Sequence, residues 1–376
     1  MATTRGDATP GEAAMAGGPG ARAQGADGAV PLLLVTHESM IEHDPGVGHP
    51  ERPDRLRAVL ARLRDQPVPG AVFGEPRLAT AEEIRRVHSA DHLEAVEAAR
   101  GRVTAFDADT RTSKESVDCA FTSAGGALRA VEAVVGGEAR RAFALGRPPG
   151  HHAEAARAMG FCLFNNVAVA AAHARAVLGM KRVMIVDWDV HHGNGTQHIF
   201  EDRDDVLFFS VHRWPYYPGT GAATEVGRGA GEGFTINAPL PAALGDGDYA
   251  AVFRDVLAPA AEAFRPDLLL VSAGFDPHRA DPLGDMRVTE DGFAALCGVV
   301  QDLAEAHAGG RLALLLEGGY DLEGLARSVH GCCQVLVGAT PPDPGLPSDR
   351  GHRALAPILE AQRAVAGRRT LSRFGG

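Results

Sequence analysis

Six short runs along the chain are apolar or β-branched with little polar interruption: residues 32–35, 142–145, 183–186, 206–211, 268–272 and 312–316. Such runs suit strands covered on both faces, as in a parallel sheet. Between them, apolar positions fall at helical spacing over 116–135, 167–178, 249–264 and 292–307. This alternation predicts an α/β fold with right-handed crossovers around a mostly parallel, doubly wound sheet. Thr112 and Glu115, three apart just before the first of these helices, have the spacing of a capping box. The residues before 31 are mostly Ala and Gly with no Leu, Ile, Phe, Tyr or Trp, so 1–30 is expected to be a disordered lead-in. No repeat or linker divides the chain after residue 31. One domain over 31–340 is expected, then a tail over 341–376 with a short helix near 354–366.

In open parallel sheets, ligands bind beyond the carboxyl ends of the strands, so the residues after each run matter most. After Leu145 comes Gly-Arg-Pro-Pro-Gly-His151-His152, and after Val186 comes Asp187-Trp-Asp189-Val-His191-His192-Gly-Asn194. After Ser272 comes Ala-Gly-Phe-Asp276-Pro-His-Arg-Ala-Asp281-Pro-Leu283, and after Leu316 comes Glu-Gly-Gly-Tyr320. Four strand ends therefore deliver His, Asp and Tyr to one rim.

Asp189 and His191 alternate on an extended segment and can face one ion together, with Asp187 of the same parity behind them. Asp276 from another strand would complete two carboxylates and one imidazole, a three-ligand set with an open position. That arrangement marks catalytic rather than structural zinc. Any single Asp or His is better explained as a polar residue satisfied by local backbone; four coincident clusters are not. His151 and His152 could move a proton, with anionic Asp187 and neutral Asn194 available to give them different roles. Tyr320, preceded by Gly318 and Gly319, could donate to a developing oxyanion.

Other features carry less. The glycines over 227–233 make a poor dinucleotide or phosphate loop. The evenly spaced His37, His43 and His49 read as a polar loop, and Cys332-Cys333 as small core residues of a helix. No Gly-x-Ser-x-Gly elbow is present.

Composition narrows the partners. The 376 residues are 45% hydrophobic and 23% charged, ordinary for a globular chain. The net charge, 37 − 48 = −11, argues against nucleic-acid binding, which needs a cationic surface. Five scattered cysteines without a Cys-x-x-Cys pair suggest reduced thiols and a cytoplasmic location. No apolar run approaches the roughly 20 residues of a membrane span.

At these residues the sequence resembles the zinc-dependent histone deacetylase family, which includes bacterial deacetylase-like amidohydrolases and acetylpolyamine amidohydrolases. The resemblance covers roughly 31–340. It rests on His49-Pro-Glu-Arg-Pro-Asp-Arg55, Arg147-Pro-Pro-Gly-His-His152, Gly160-Phe-Cys-Leu-Phe-Asn-Asn166, Asp187-Trp-Asp-Val-His-His-Gly-Asn-Gly-Thr196, Tyr217-Pro-Gly-Thr-Gly221, Gly274-Phe-Asp-Pro-His-Arg-Ala-Asp-Pro-Leu-Gly284 and Glu317-Gly-Gly-Tyr320. It implies the arginase–deacetylase fold, a single domain with about eight strands. It implies one zinc on Asp189, His191 and Asp276, with iron as the alternative in the cell. His152 would be base then acid, His151 an electrostatic aid oriented by Asp187, and Tyr320 the group polarising the acyl carbonyl. Asn194, where class I members carry Asp, resembles class II. Gly160, Phe161, Tyr217 and Leu283 would line the acyl-lysine tunnel, and a structural potassium would sit near Asp187, Asp189, His191, Ser210 and Val211.

The expected activity is hydrolysis of an acylated primary amine, with acyl-lysine in proteins or peptides favoured and acetylpolyamines the main rival. Polyamine-selective relatives carry a glutamate at the position of Leu283. A catalytically silent acyl-ligand binder and a binuclear manganese ureohydrolase are the alternatives from other classes, and self-association is left open.

Overall fold

The computed structural model describes residues 28–374, so nearly all of the expected lead-in over 1–30 lies outside the described residues. Eight parallel strands form one sheet: β1 Val30–Val35, β2 Ala71–Gly74, β3 Ala139–Ala144, β4 Val183–Asp187, β5 Val206–Arg213, β6 Thr235–Leu240, β7 Leu268–Ala273 and β8 Leu312–Leu316. Their order is β2-β1-β3-β8-β7-β4-β5-β6. The strands whose ends carry the polar motifs, β3, β8, β7 and β4, are thus consecutive at the centre. The strand period of two splits the core: Met184 and Val186 join the apolar cluster on one face, Val183 and Ile185 the cluster on the other.

The two strands absent from the sequence reading lie at the sheet edges. β2 has only four residues, and β6 contains Asn237 and Pro239, composition that an edge tolerates. β3 begins earlier than expected because Arg141 is accommodated: its guanidinium donates to Glu305 Oε1 at 2.5 Å and the Leu336 carbonyl at 3.0 Å. The helix expected over 249–264 starts at Asp246 and passes through a π-helical turn at Phe253–Leu257 before ending at Phe264. The last helix, Asp349–Phe374, exceeds the short one expected.

The capping box at Thr112 and Glu115 does not form. The helix Ser116–Val135 starts instead where Ser113 N–H donates to Ser116 Oγ at 2.7 Å, while the Thr112 hydroxyl bonds to the strand-like pair at Thr104. A capping box occurs at Thr80 and Glu83.

His88 is 3% exposed and bonded at both ring nitrogens: Nδ1 donates to the Glu154 carbonyl at 3.0 Å, and Nε2 accepts from Asn165 N–H at 2.9 Å. Burial, helped by His92, pushes its pKa down to about 3. The unfolded chain, with a histidine pKa near 6.5, then binds a proton that the folded chain refuses. This contribution is complete above about pH 6.5 and lost as pH falls towards 3. Taking the protein from pH 7 to pH 5 should cost about 2 kcal/mol through His88 alone. Denaturant titrations of His88→Gln at the two pH values should show that much less loss than wild type.

Candidate functional site

β4 ends at Asp187, and the chain then turns on its own carboxylates. Asp187 Oδ1 accepts from Asp189 N–H at 3.0 Å, and Asp189 Oδ1 accepts from His191 N–H at 2.9 Å. These local bonds hold alternate side chains on one side. Asp276, just beyond β7, ties in when its Oδ1 accepts from Val190 N–H at 2.8 Å. Asp189 Oδ1 and Asp276 Oδ2 each lie 3.1 Å from His191 Nδ1, and the ligand atoms of all three residues fall within 4.8 Å of one another.

This donor set fits a divalent ion. Bonds of about 2.0–2.2 Å in a tetrahedron put ligands roughly 3.3 Å apart, and two of the three edges here are 3.1 Å. All three residues are buried. Burial and the charge of Asp189 push Asp276 up to about 7, while bonds to the two carboxylates lift His191 to about 9 against the effect of burial. The cluster attracts positive charge, whether as protons or as a metal cation.

β3 delivers His151 and His152, whose rings lie 4.0 Å apart in contrasting surroundings. His151 Nδ1 donates to Asp187 Oδ2 at 2.9 Å; burial opposes protonation, but Asp189 and Asp187 outweigh it and hold the ring well above its ordinary pKa. His152 is held well below by burial and by the charges of His151 and His191, with Nδ1 2.7 Å from Asn194 Oδ1. The surroundings thus favour the charged form of His151 and the neutral form of His152.

Tyr320 follows β8 through Gly318 and Gly319. Its N–H donates to Asp281 Oδ2 at 2.6 Å, and the Arg55 guanidinium lies 5.1 Å over its ring. Burial, with Asp276 nearby, keeps the phenol protonated far above pH 10. A cavity of roughly 200 Å³ lies between these groups, lined by His151, His152, His191 and Tyr320 at its inner end and by Gly160, Phe161, Tyr217 and Leu283 along its walls. Phe161 adopts φ 68°, held by its N–H donating to Thr110 Oγ1 at 3.1 Å and by the edge of His49 at 4.6 Å. A Cβ on Gly160 would run into the ring of His152.

The histone deacetylase domain family matches residues 49–336. The chain belongs to this family. Among similar proteins, "Histone deacetylase 15" of Arabidopsis thaliana is 42% identical over 341 residues, 88% of this chain and 60% of that one. "Polyamine deacetylase HDAC10" of Homo sapiens is 42% identical over 357 residues, 89% of this chain and 52% of that one. "Probable deacetylase" of Archaeoglobus fulgidus is 40% identical over 294 residues, 77% of this chain and 82% of that one. The chain thus spans three fifths or less of the first and second of these. The solved structure of the HDA15 HD domain superposes with a TM-score of 0.83 at 40% identity, covering 91% of this chain and 98% of that one. With eight parallel strands and that neighbour, the fold of this family member is the arginase–deacetylase α/β fold.

Every proposed metal, proton-transfer and tunnel residue lies at this one place. Ser210 is the register partner of Asp187, and its Oγ is 2.9 Å from His212 Nδ1; Val211 follows in β5. The three evenly spaced histidines do not make one polar loop. His37 is exposed, His43 is buried with Nδ1 2.7 Å from Ser116 Oγ, and His49 packs on Phe161. Cys332 and Cys333 are buried in a helix as expected. A second group with ligand spacing among the described residues, Glu83, Glu132 and His173, is already bridged by Arg77, whose Nη2 donates to both carboxylates.

The supports of these groups come from residues outside the metal and histidine motifs. Tyr216 stacks on His191 at 5.3 Å and 15° and donates to the Leu283 carbonyl at 2.6 Å, linking both cavity walls. Glu317 Oε2 accepts from Gly150 N–H at 2.6 Å and His151 N–H at 3.2 Å. Asp109 stands in the cavity lining. Glu317 lay inside a quoted motif; no spacing signals Tyr216 or Asp109.

Gly318 N–H donates to Asp189 Oδ2 at 2.9 Å, and a Cβ at this position would overlap the carboxylates of Asp276 and Asp189. Gly318→Ala should therefore weaken binding of a divalent metal ion at this cluster at least about tenfold, as misplaced ligands do. Metal content after dialysis against a competing chelator reads the loss, and circular dichroism should report an unchanged fold.

Proposed function

We propose that this protein is a metal-dependent deacetylase that hydrolyses N6-acyl-lysine amides in proteins or peptides. The observation that carries the reading is the three-ligand cluster of Asp189, His191 and Asp276 at the inner end of a narrow cavity shared with His152 and Tyr320. Zinc suits the donor set, with iron the alternative in the cell, and such an ion would supply Lewis-acid activation of the carbonyl and of a water.

The remaining chemistry belongs to the chain. With Nδ1 bonded to Asn194, neutral His152 takes a proton from the attacking water at Nε2 and returns it to the departing amine. Cationic His151, held by Asp187, stabilises the negative charge that develops beside it. Tyr320, kept protonated, donates to the oxyanion. Phe161, Tyr217 and Leu283 sheathe an alkyl arm and exclude water.

Leu283 supports acyl-lysine, since an apolar side chain at that point of the wall offers no charge to a second cationic nitrogen; Asp109 is the carboxylate in the same lining. The polyamine deacetylase among the similar proteins supports acetylpolyamines as the second reading. The register of Asp187 against Ser210 supports a structural potassium held by Asp187, Asp189, His191, Ser210 and Val211. Five free cysteines support a cytoplasmic location.

His152→Ala should lower kcat by about 10²- to 10⁴-fold while zinc content stays near one per chain; Asp189→Ala should lose the metal as well as the activity. Full activity of both variants on all acylated amines tried would defeat the mechanism. On substrate, wild type should show higher kcat/KM for acetyl-lysine peptides than for acetylpolyamines, and Leu283→Glu should narrow or reverse that ratio in a side-by-side panel.

A further inference from the structure

The two ends of the Asn194 amide are chemically different, and its surroundings decide which end meets His152. Nδ2 has three neighbours: Glu154 Oε1 at 2.5 Å, the His152 carbonyl oxygen at 3.3 Å and the Met159 sulfur at 3.4 Å. A carboxylate, a carbonyl and a thioether only accept, so the NH₂ end must face them. Oδ1 is thereby turned to His152 Nδ1, 2.7 Å away. An amide oxygen cannot donate. Nδ1 must therefore carry the proton, leaving the lone pair on Nε2 of a ring that lines the cavity.

Of the three acceptors, Glu154 gives the shortest contact and is the only charged one, so it dominates the choice. It is fixed in turn. His198 Nδ1 lies 2.9 and 3.0 Å from the two carboxylate oxygens, and Glu154 is 17% exposed against 39% for His198. The bond to Glu154 also raises the pKa of His198, which favours the ion pair.

We propose that Glu154, braced by His198, is a positioning residue: it orients the Asn194 amide and through it sets the tautomer of His152. If the amide turned over, its NH₂ would face Nδ1, the proton would move to Nε2, and the ring could no longer accept a proton from water. The catalytic consequence rests on the reading of His152 as the proton carrier; the tautomer does not.

The test uses zinc-loaded, ¹⁵N-histidine-labelled full chain, in which two-bond ¹H–¹⁵N couplings report each tautomer and loss of signals in His152→Ala assigns the ring. Wild type should show a single Nδ1–H form of His152. Glu154→Ala should add an Nε2–H population and lower kcat about tenfold with KM little changed, in the range of a lost supporting hydrogen bond. Glu154→Gln, which still offers an oxygen to Asn194 Nδ2, should keep the tautomer and most of kcat. An Nε2–H form in wild type would overturn the proposal, and this needs no variant to fold. So would a pure Nδ1–H form in Glu154→Ala, or Glu154→Gln as impaired as Glu154→Ala. The expected tautomers in a wild type that hydrolyses no acylated amine would support the positioning role and defeat only the hydrolase reading.

Discussion

Five carboxylates, from Glu51, Asp187, Asp189, Asp276 and Glu317, are almost wholly buried around the carboxyl ends of the central strands, and the surrounding structure answers that constraint. An unpaired buried charge costs several kcal/mol, so each must find cations or N–H donors. Glu51 is met by two fully buried arginines: Arg147 donates to it twice at 2.6 Å, and Arg55 once at 2.9 Å. Arg55 continues to the carbonyls of Gly319 at 2.6 Å and Glu317 at 2.5 Å, fixing the segment that carries Tyr320. Backbone N–H groups satisfy further oxygens of Glu317, Asp189 and Asp276. What remains uncompensated is concentrated where Asp189 and Asp276 face His191, the place fitted for a cation.

The same low-polarity setting separates two chemically identical side chains. His151 and His152 are adjacent in sequence and both buried, yet one faces carboxylates and the other an amide. In a weakly screening interior, burial lowers the pKa of both rings; the carboxylates outweigh it at His151, while at His152 the charges of His151 and His191 add to it. Above them, the cavity walls are held by contacts between loops rather than within them. Tyr216 joins His191 to the Leu283 carbonyl, and His49 with Thr110 keeps Phe161 in its left-handed conformation. The walls thereby enclose one cavity with His151, His152, His191 and Tyr320 at its inner end.

Much of this architecture is legible in the order of residues. The uninterrupted runs at β4, β5, β7 and β8 could be read because strands buried on both faces have no polar side to alternate with. β2 and β6 escaped notice because an edge strand needs neither length nor continuous hydrophobicity, and the failed capping box at Thr112 shows that spacing alone does not bring a side chain to a helix end. Motifs at the ends of consecutive central strands announced Asp189, His191, Asp276, His151, His152 and Tyr320. Glu154 and Tyr216 lay next to recognised motifs with nothing in their spacing to distinguish them from bystanders.

The sequence by itself determined the kind of layer each segment forms, which is a local matter of period and side-chain type, and which His, Asp and Tyr residues follow the strand ends. Only the tertiary structure decided that β3, β8, β7 and β4 stand side by side, which partner faces each end of the Asn194 amide, and which donors meet each buried carboxylate. Those outcomes depend on distances and burial between residues far apart in the chain, such as the 2.8 Å bond from Val190 N–H to Asp276, and no local pattern encodes them.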